Sequence, residues 1–255
     1  MTQLKGKTTM NAKYKTIEEQ LEYLKLSHTR EYYKEIISNA EKNQTSHLDL
    51  LSNIIDAEAI FRQERALQRR LKNAKLPYIK TIENYNWNHP KKINRMQIEG
   101  FFRLDFIERQ ENIIFIGTCG TGKSHITIAL AKAACEKGHS TLFTGAIDII
   151  NNLSAAMAIN NLDRAIKKYL LPSVLIIDEL GYLPIDKQGA NLLFQVISKR
   201  YETGSIILTT NRTFKEWPIT FNNDSTITSA VLDRILHHSH VSVIEGPSYR
   251  MKDKI

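Results

Sequence analysis

The 255-residue sequence has no run of 18 or more apolar residues, so no segment reads as a membrane-spanning helix. Its start, MTQLKGKTTMNAKYK, is basic but has no apolar stretch of the kind a secretory leader needs. A cytoplasmic protein without membrane attachment is the expectation. Cysteine is scarce. Cys119 and Cys135 have neither CxxC spacing nor companion histidines, which excludes the common zinc patterns and predicts reduced thiols. Acidic residues are in deficit, 27 against 35 Lys+Arg, for a net charge of +8 that predicts an anionic partner. Residues 1–110 hold 20 Lys+Arg against 14 Asp+Glu, and residues 111–255 hold 15 against 13, so the excess is N-terminal.

Glycine and proline are both absent between Thr16 and Ala74, where apolar residues recur three and four apart: Leu48, Leu51, Ile54, Ile55, then Leu67, Leu71. That stretch predicts several helices, interrupted at NQTSHLD (43–49), with Thr45 or Ser46 as the next N-cap. A small helical domain over 1–75 is the expectation, followed by a second domain over 76–255. The linker LPYIKTIENYNWNHPKK carries Pro77 and Pro90 as helix breakers, and Tyr85 and Trp87 there could stack on a base or pack on a core. From residue 113 apolar runs alternate with helical periods: IIFIG (113–117), STLFTG (140–145), SVLIID (173–178), SIILTT (205–210) and VSVIEG (241–246). The alternation predicts an α/β fold, a parallel sheet with helices on both faces.

Between the first run and the helical pattern after it lies GTCGTGKS, residues 117–124, which matches G-x-x-x-x-G-K-[ST] in its required strand-to-helix context. Gly117, Thr118, Cys119, Gly120, Thr121 and Gly122 form a loop whose backbone N–H groups turn around a triphosphate. Lys123 reaches the β and γ phosphates, Ser124 ligates Mg²⁺, and His125, next along the helix, completes the nucleotide-binding set this predicts. ATP and Mg²⁺ are the cofactors this predicts. The third run ends in Asp178 and Glu179, at the strand edge where open α/β sheets bind ligands. Asp178 is read as a Mg²⁺ ligand and Glu179 as the base that polarises water, which points to hydrolysis. Asn211 in TTNR is read as positioning that water, and Arg234 as an arginine finger acting on a neighbouring subunit. Arg212 and Arg250 are weaker candidates for phosphate or subunit contacts.

Arg62, Arg65, Arg69 and Lys72 recur at spacings of 3, 4 and 3, one helix face, and with Lys167 and Lys168 are read as contacts to a DNA backbone. His237, His238 and His240 lack a nearby Cys or carboxylate pattern and are expected in packing or polar contacts.

The chain resembles the IstB-like ATP-binding proteins, helper ATPases of one class of bacterial insertion sequence, and beyond them the DnaC-type helicase loaders of the AAA+ group. ERALQRRLKNAKLP, the P-loop followed by His, LIIDELGYLP, GANLLFQVISKRYE, ILTTNRTFKEW, LDRILHH and the final G-x-SYR carry the resemblance. It implies an AAA+ core without a C-terminal lid, and a protein that forms a homo-oligomer on duplex DNA and stimulates a partner transposase. Asp178, Glu179, Asn211 and Arg234 fall on the family's Mg²⁺, base, sensor and arginine-finger positions. The loop departs slightly, with Cys119 where proline or glycine is common and Ser124 for threonine. A helicase loader, a P-loop kinase for a small metabolite and a non-hydrolysing DNA-binding module remain as rival readings.

Overall fold

A computed structural model describes residues 16–251, and the chain divides into two compact units, Met1–Gln68 and Arg69–Ile255, with the break inside one long helix. In the first unit, α1 (residues 16–23), α2 (Ser27–Lys42) and the early turns of α3 (His47–Ala74) follow one another through short turns. Of the two cap candidates for α3, Ser46 does the capping, its hydroxyl accepting the Asp49 N–H at 3.2 Å.

The start of α2 is capped from another helix. Leu26, at its N-cap position, makes no side-chain cap bond. Instead the carboxylate of Glu58 on α3 accepts the Thr29 N–H at 2.9 Å and the Thr29 hydroxyl at 3.0 Å, putting an anion on an otherwise unsatisfied helix N-terminus. Arg62, one turn later, pairs with Glu58 at 3.1 Å and donates to the Lys25 carbonyl at 2.7 Å. Burial raises the Glu58 pKa, but the Thr29 amide and Arg62 outweigh it and leave the group below the usual glutamate value.

In the second unit α4 (Arg95–Phe101) and α5 (Asp105–Glu108) lead into β1 (Asn112–Ile116). Then come α6 (Lys123–Glu136), β2 (Thr141–Gly145), α7 (Ala146–Ala158), α8 (Leu162–Leu170) and β3 (Val174–Leu180). The unit closes with α9 (Lys187–Arg200), β4 (Ser205–Thr210), α10 (Trp217–Thr220), α11 (Ser225–Leu236) and β5 (Ser239–Val243). The strands pair in parallel in the order β2-β3-β4-β1-β5. Successive strand residues face opposite sides, so the apolar runs feed two cores. Ile113, Phe115, Val174, Ile176 and Ile207 pack with Phe101, Ile126 and Leu130. Ile114, Leu175, Ile177, Ile206 and Leu208 pack with Ile149, Leu193 and Trp217 on the other face.

The last strand begins and ends earlier than its apolar run predicts. β5 closes at Val243, because past it the chain leaves the ladder to form an antiparallel bridge between Glu245 and Lys92. Arg200, fully buried, needs no carboxylate: its guanidinium donates to the carbonyls of Tyr169, Leu170, Pro172, Ser173 and Ser205. Burial lowers its pKa to about 10, so it remains charged at neutral pH while tying the end of α8 to the starts of β3 and β4. Among the described residues no helix is long and apolar enough to cross a membrane.

Candidate functional site

β1 ends at Ile116 and α6 begins at Lys123, so Gly117–Gly122 must turn the chain through a loop at the C-terminal edge of the sheet. Two of its glycines adopt left-handed backbone, Gly120 at φ +78° and Gly122 at φ +98°. Both are also crowded. A Cβ on Gly120 would lie 2.0 Å from the Ser248 hydroxyl, and one on Gly122 would lie 2.7 Å from the Tyr85 ring.

The partners that crowd the loop come from both sides of it in sequence. Tyr85 packs beneath it, its hydroxyl donating to the Thr121 carbonyl at 3.2 Å and its ring edge-on to Trp87 and His125. Burial pushes the Tyr85 phenol up to about 12. From the other side, the Tyr249 N–H donates to the Gly120 carbonyl at 2.9 Å, and the Thr118 hydroxyl donates to Gly246 O at 3.4 Å. His89 joins the two segments through the Pro247 carbonyl at 2.9 Å and an edge-on contact with the Tyr249 ring. Between them lies a cavity of about 340 Å³, walled by Gly120–His125 and by Tyr78, Asn86, His89 and Arg250. Its size falls within the range of small-molecule sites, and a helix N-terminus opens into it.

Lys123 folds back on the loop, donating to the carbonyls of Gly117 at 2.6 Å and Thr118 at 2.8 Å. An ammonium has three donors, so one is left for a ligand in the cavity. Burial, the largest influence on it, lowers its pKa. The next residue, Ser124, points at β3, where its hydroxyl lies 3.1 Å from Oδ2 of Asp178. Asp178 is buried at the end of β3 and also accepts the Thr209 hydroxyl from β4. Cys119 is exposed on the loop.

Directly after Asp178 the β3–β4 ladder slips, between Ile177 and Leu180, and Glu179 adopts φ +60°. A bulge of this kind re-aims a side chain, and Glu179 is the exposed residue of an otherwise buried strand. Its N–H donates to Thr209 Oγ1 at 2.9 Å, so one hydroxyl steadies both acidic residues. Asn211 follows β4 at the same sheet edge, exposed, next to the Thr210 carbonyl that accepts the Gly117 N–H at 3.1 Å. The loop, Ser124, Asp178, Glu179 and Asn211 are thus gathered at one edge.

Arg234 is not among them. It lies in the last turn of α11, at the N-terminal edge of the sheet, where the Asn112 side chain donates to Ile235 O. There its guanidinium lies 5.0 Å from the Phe194 ring centroid and donates to the Ala230 carbonyl. Arg212 is held by Gly181 O and Glu216 near the loop edge, whereas Arg250 lines the cavity itself. Arg62, Arg65, Arg69 and Lys72 are exposed residues of α3, with Arg62 engaged by Glu58 and Arg65 over the Phe61 ring. Lys167 and Lys168 are exposed in the last turn of α8, Lys168 over the Tyr169 ring. His240 pairs with Glu111 at 2.8 Å, the polar contact expected of it.

Thr209, His89 and the residues 246–249 are the site members that motif reading passes over, whereas Arg250, a candidate phosphate contact from the sequence, lines the cavity. A threonine in SIILTT reads as ordinary strand filler, and nothing in GPSY names the loop as its target. The signal that was there is the cluster of aromatic and histidine residues in NYNWNHP, residues 84–90.

Comparison with known proteins identifies the arrangement. The family model of the IstB-like ATP binding proteins matches residues 19–255. A protein named for ATP binding in insertion sequence IS232 of Bacillus thuringiensis subsp. berliner is 38% identical over 244 residues, 96% of this chain and 97% of that protein. Among solved structures, the DnaC helicase loader matches with a TM-score of 0.52 and 25% identity, over 62% of this chain and 98% of its own. AMPPCP-bound DnaA from Aquifex aeolicus matches with a TM-score of 0.57 at 17% identity, over 70% of this chain and 54% of its own. The sheet and its flanking helices are therefore the AAA+ P-loop fold.

Proposed function

The chain belongs to the IstB-like ATP-binding family, and from that premise we propose that it is a cytoplasmic ATPase that assists DNA transposition. In this reading it assembles on duplex DNA with ATP at subunit interfaces, and recruits and stimulates a transposase. The observation that carries the hydrolytic part is the convergence of Lys123, Ser124, Asp178 and the re-aimed Glu179 on the loop edge.

The donor set fits the two groups it would hold. Ser124 and Asp178 offer hard oxygens side by side, the ligands a magnesium ion prefers, and the glycine-bounded cavity suits a nucleotide. Bound magnesium would supply charge neutralisation for the phosphates. The chain's own residues do the rest. Lys123 and the α6 N-terminus hold the β and γ phosphates. Glu179 draws a proton from water as its oxygen attacks the γ phosphorus, Asn211 orients that water, and the bond to the β-phosphate oxygen breaks. Tyr249 and Arg250 close the cavity over the ligand from the same protomer.

Arg234, on the opposite sheet edge, serves a neighbour's nucleotide, so turnover is slow until subunits assemble. Backbone phosphates are contacted by Arg65, Arg69, Lys72, Lys167 and Lys168, while Arg62 holds the α1–α2 turn. The likeness to the DnaC helicase loader supports a second reading, delivery of a helicase to single strands. ATP hydrolysis measured with long duplex or single-stranded DNA, with sedimentation of the same samples, separates them. Duplex-dependent assembly accompanied by faster turnover supports the transposition helper. Assembly confined to single strands replaces it with the loader, and turnover indifferent to any DNA rejects both.

A further inference from the structure

At the sheet edge away from the loop, the turn after α9 meets the residues that follow α11. The ligand atoms of Glu202, His237 and His238 there all lie within 4.8 Å of one another. We propose that Glu202, His237 and His238 form a binding site for a divalent transition metal of the zinc class.

Three observations carry it. The set is chemically suited: two imidazoles and a carboxylate bind zinc at about 2.0–2.2 Å, and all three side chains are exposed, so shifts of roughly 1 Å bring them to those distances. The second is orientation. The Tyr201 hydroxyl lies 2.8 Å from Nδ1 of His237, and an Nδ1–H donated to that oxygen is the tautomer that leaves Nε2 to the metal. The third is the backbone. Glu202 sits at φ +56°, in a turn that ends α9 and leads into β4, while the two histidines lead into β5. Parallel strands start at the same edge, so the fold brings together ligands that the sequence keeps 35 positions apart.

With three protein ligands, a water would complete a tetrahedral shell. A bound ion would clamp the α9–β4 turn to the end of α11, the helix that carries Arg234. The proposal does not depend on the nucleotide reading.

Chelator-treated full-length protein, titrated with Zn²⁺ by calorimetry and melted with and without it, tests this. Cobalt substitution distinguishes the site from the Cys119 thiol, since nitrogen and oxygen ligands give no thiolate charge-transfer band. One equivalent should bind with a rise in Tm, and Glu202→Gln and His238→Gln should each weaken binding at least about tenfold. His240→Gln, whose ring pairs with Glu111, should bind as wild type. Absence of binding, a thiolate band, or a His237→Gln/His238→Gln protein that binds normally would overturn the proposal. A double variant with unaltered metal-free Tm but no zinc-induced rise would uphold it.

Discussion

The hydroxyl of Thr209 donates to the carboxylate of Asp178, linking the ends of two neighbouring strands at the floor of the site. The same oxygen accepts the Glu179 N–H, so both acidic residues take their positions from β4 rather than from their own strand. Thr209→Val keeps the shape and removes both bonds. It should lower turnover about 10- to 100-fold and cost about 1–3 kcal/mol of stability, while Thr209→Ser restores most of both. Steady-state ATP hydrolysis and urea melts of the two variants check this.

Lys123 and Glu179 should separate binding from chemistry. Lys123→Ala removes the ammonium held 2.6 Å from the Gly117 carbonyl and is expected to abolish ATP binding in calorimetry. Glu179→Gln leaves the cavity walls intact and should bind ATP normally, with turnover reduced at least about 100-fold and DNA-bound assemblies that persist. Normal turnover in that variant removes Glu179 from the role of base.

Gly120→Ala probes the closure of the loop. The new Cβ must adopt φ +78° and would sit 2.0 Å from the Ser248 hydroxyl. The left-handed backbone alone costs about 1–2 kcal/mol, and the clash pushes residues 248–250 off the loop. ATP affinity should fall together with Tm. Adding Ser248→Gly should recover the affinity but not the whole Tm, and a loss of Tm without loss of affinity would show that the segment plays no part in binding.

Arg234→Ala should leave ATP affinity unchanged and remove the increase in turnover that accompanies assembly, a loss of roughly a thousandfold for an arginine acting across an interface. Mixing it with Glu179→Gln protein gives a sharper check. If Arg234 serves a neighbour, each subunit supplies what the other lacks, and part of the DNA-stimulated activity returns.

Acid should loosen the helical unit through Glu58. Its pKa is held below the unfolded value of 4.5, so its contribution is present above that pH and fades as pH falls through the lower, folded value. Glu58→Gln should cost about 1–2 kcal/mol at pH 7, with the difference from wild type shrinking below pH 4.5. Helicity of the full chain followed by circular dichroism against temperature and pH measures both.

What the sequence made legible was the chemistry carried by short spacings. GTCGTGKS and the Asp178-Glu179 pair place their residues within one loop or one strand end, and the order of strands and helices follows from apolar periods. What it concealed depends on partners far along the chain. Arg62 reads as one member of a basic stripe, yet its guanidinium is held by the carbonyl of Lys25, 37 positions earlier. Thr209 reaches Asp178 from 31 positions away, and the exposure of Glu179 comes from a slip in pairing that no periodicity announces. The early end of β5 is of the same kind, because it is set by a bridge to Lys92.

The contacts that close the loop also carry a timetable. Thr118 waits for Gly246, 128 positions later, which at 5–20 residues per second is roughly 6 to 26 s on the ribosome. During that interval the nascent chain owns every residue of GTCGTGKS but not the neighbours that shape it. A message cut short, or a chain stalled before its last strand, therefore releases a protein bearing the loop's letters without its form. The ability to take a ligand there arrives as the fold is finished, not before.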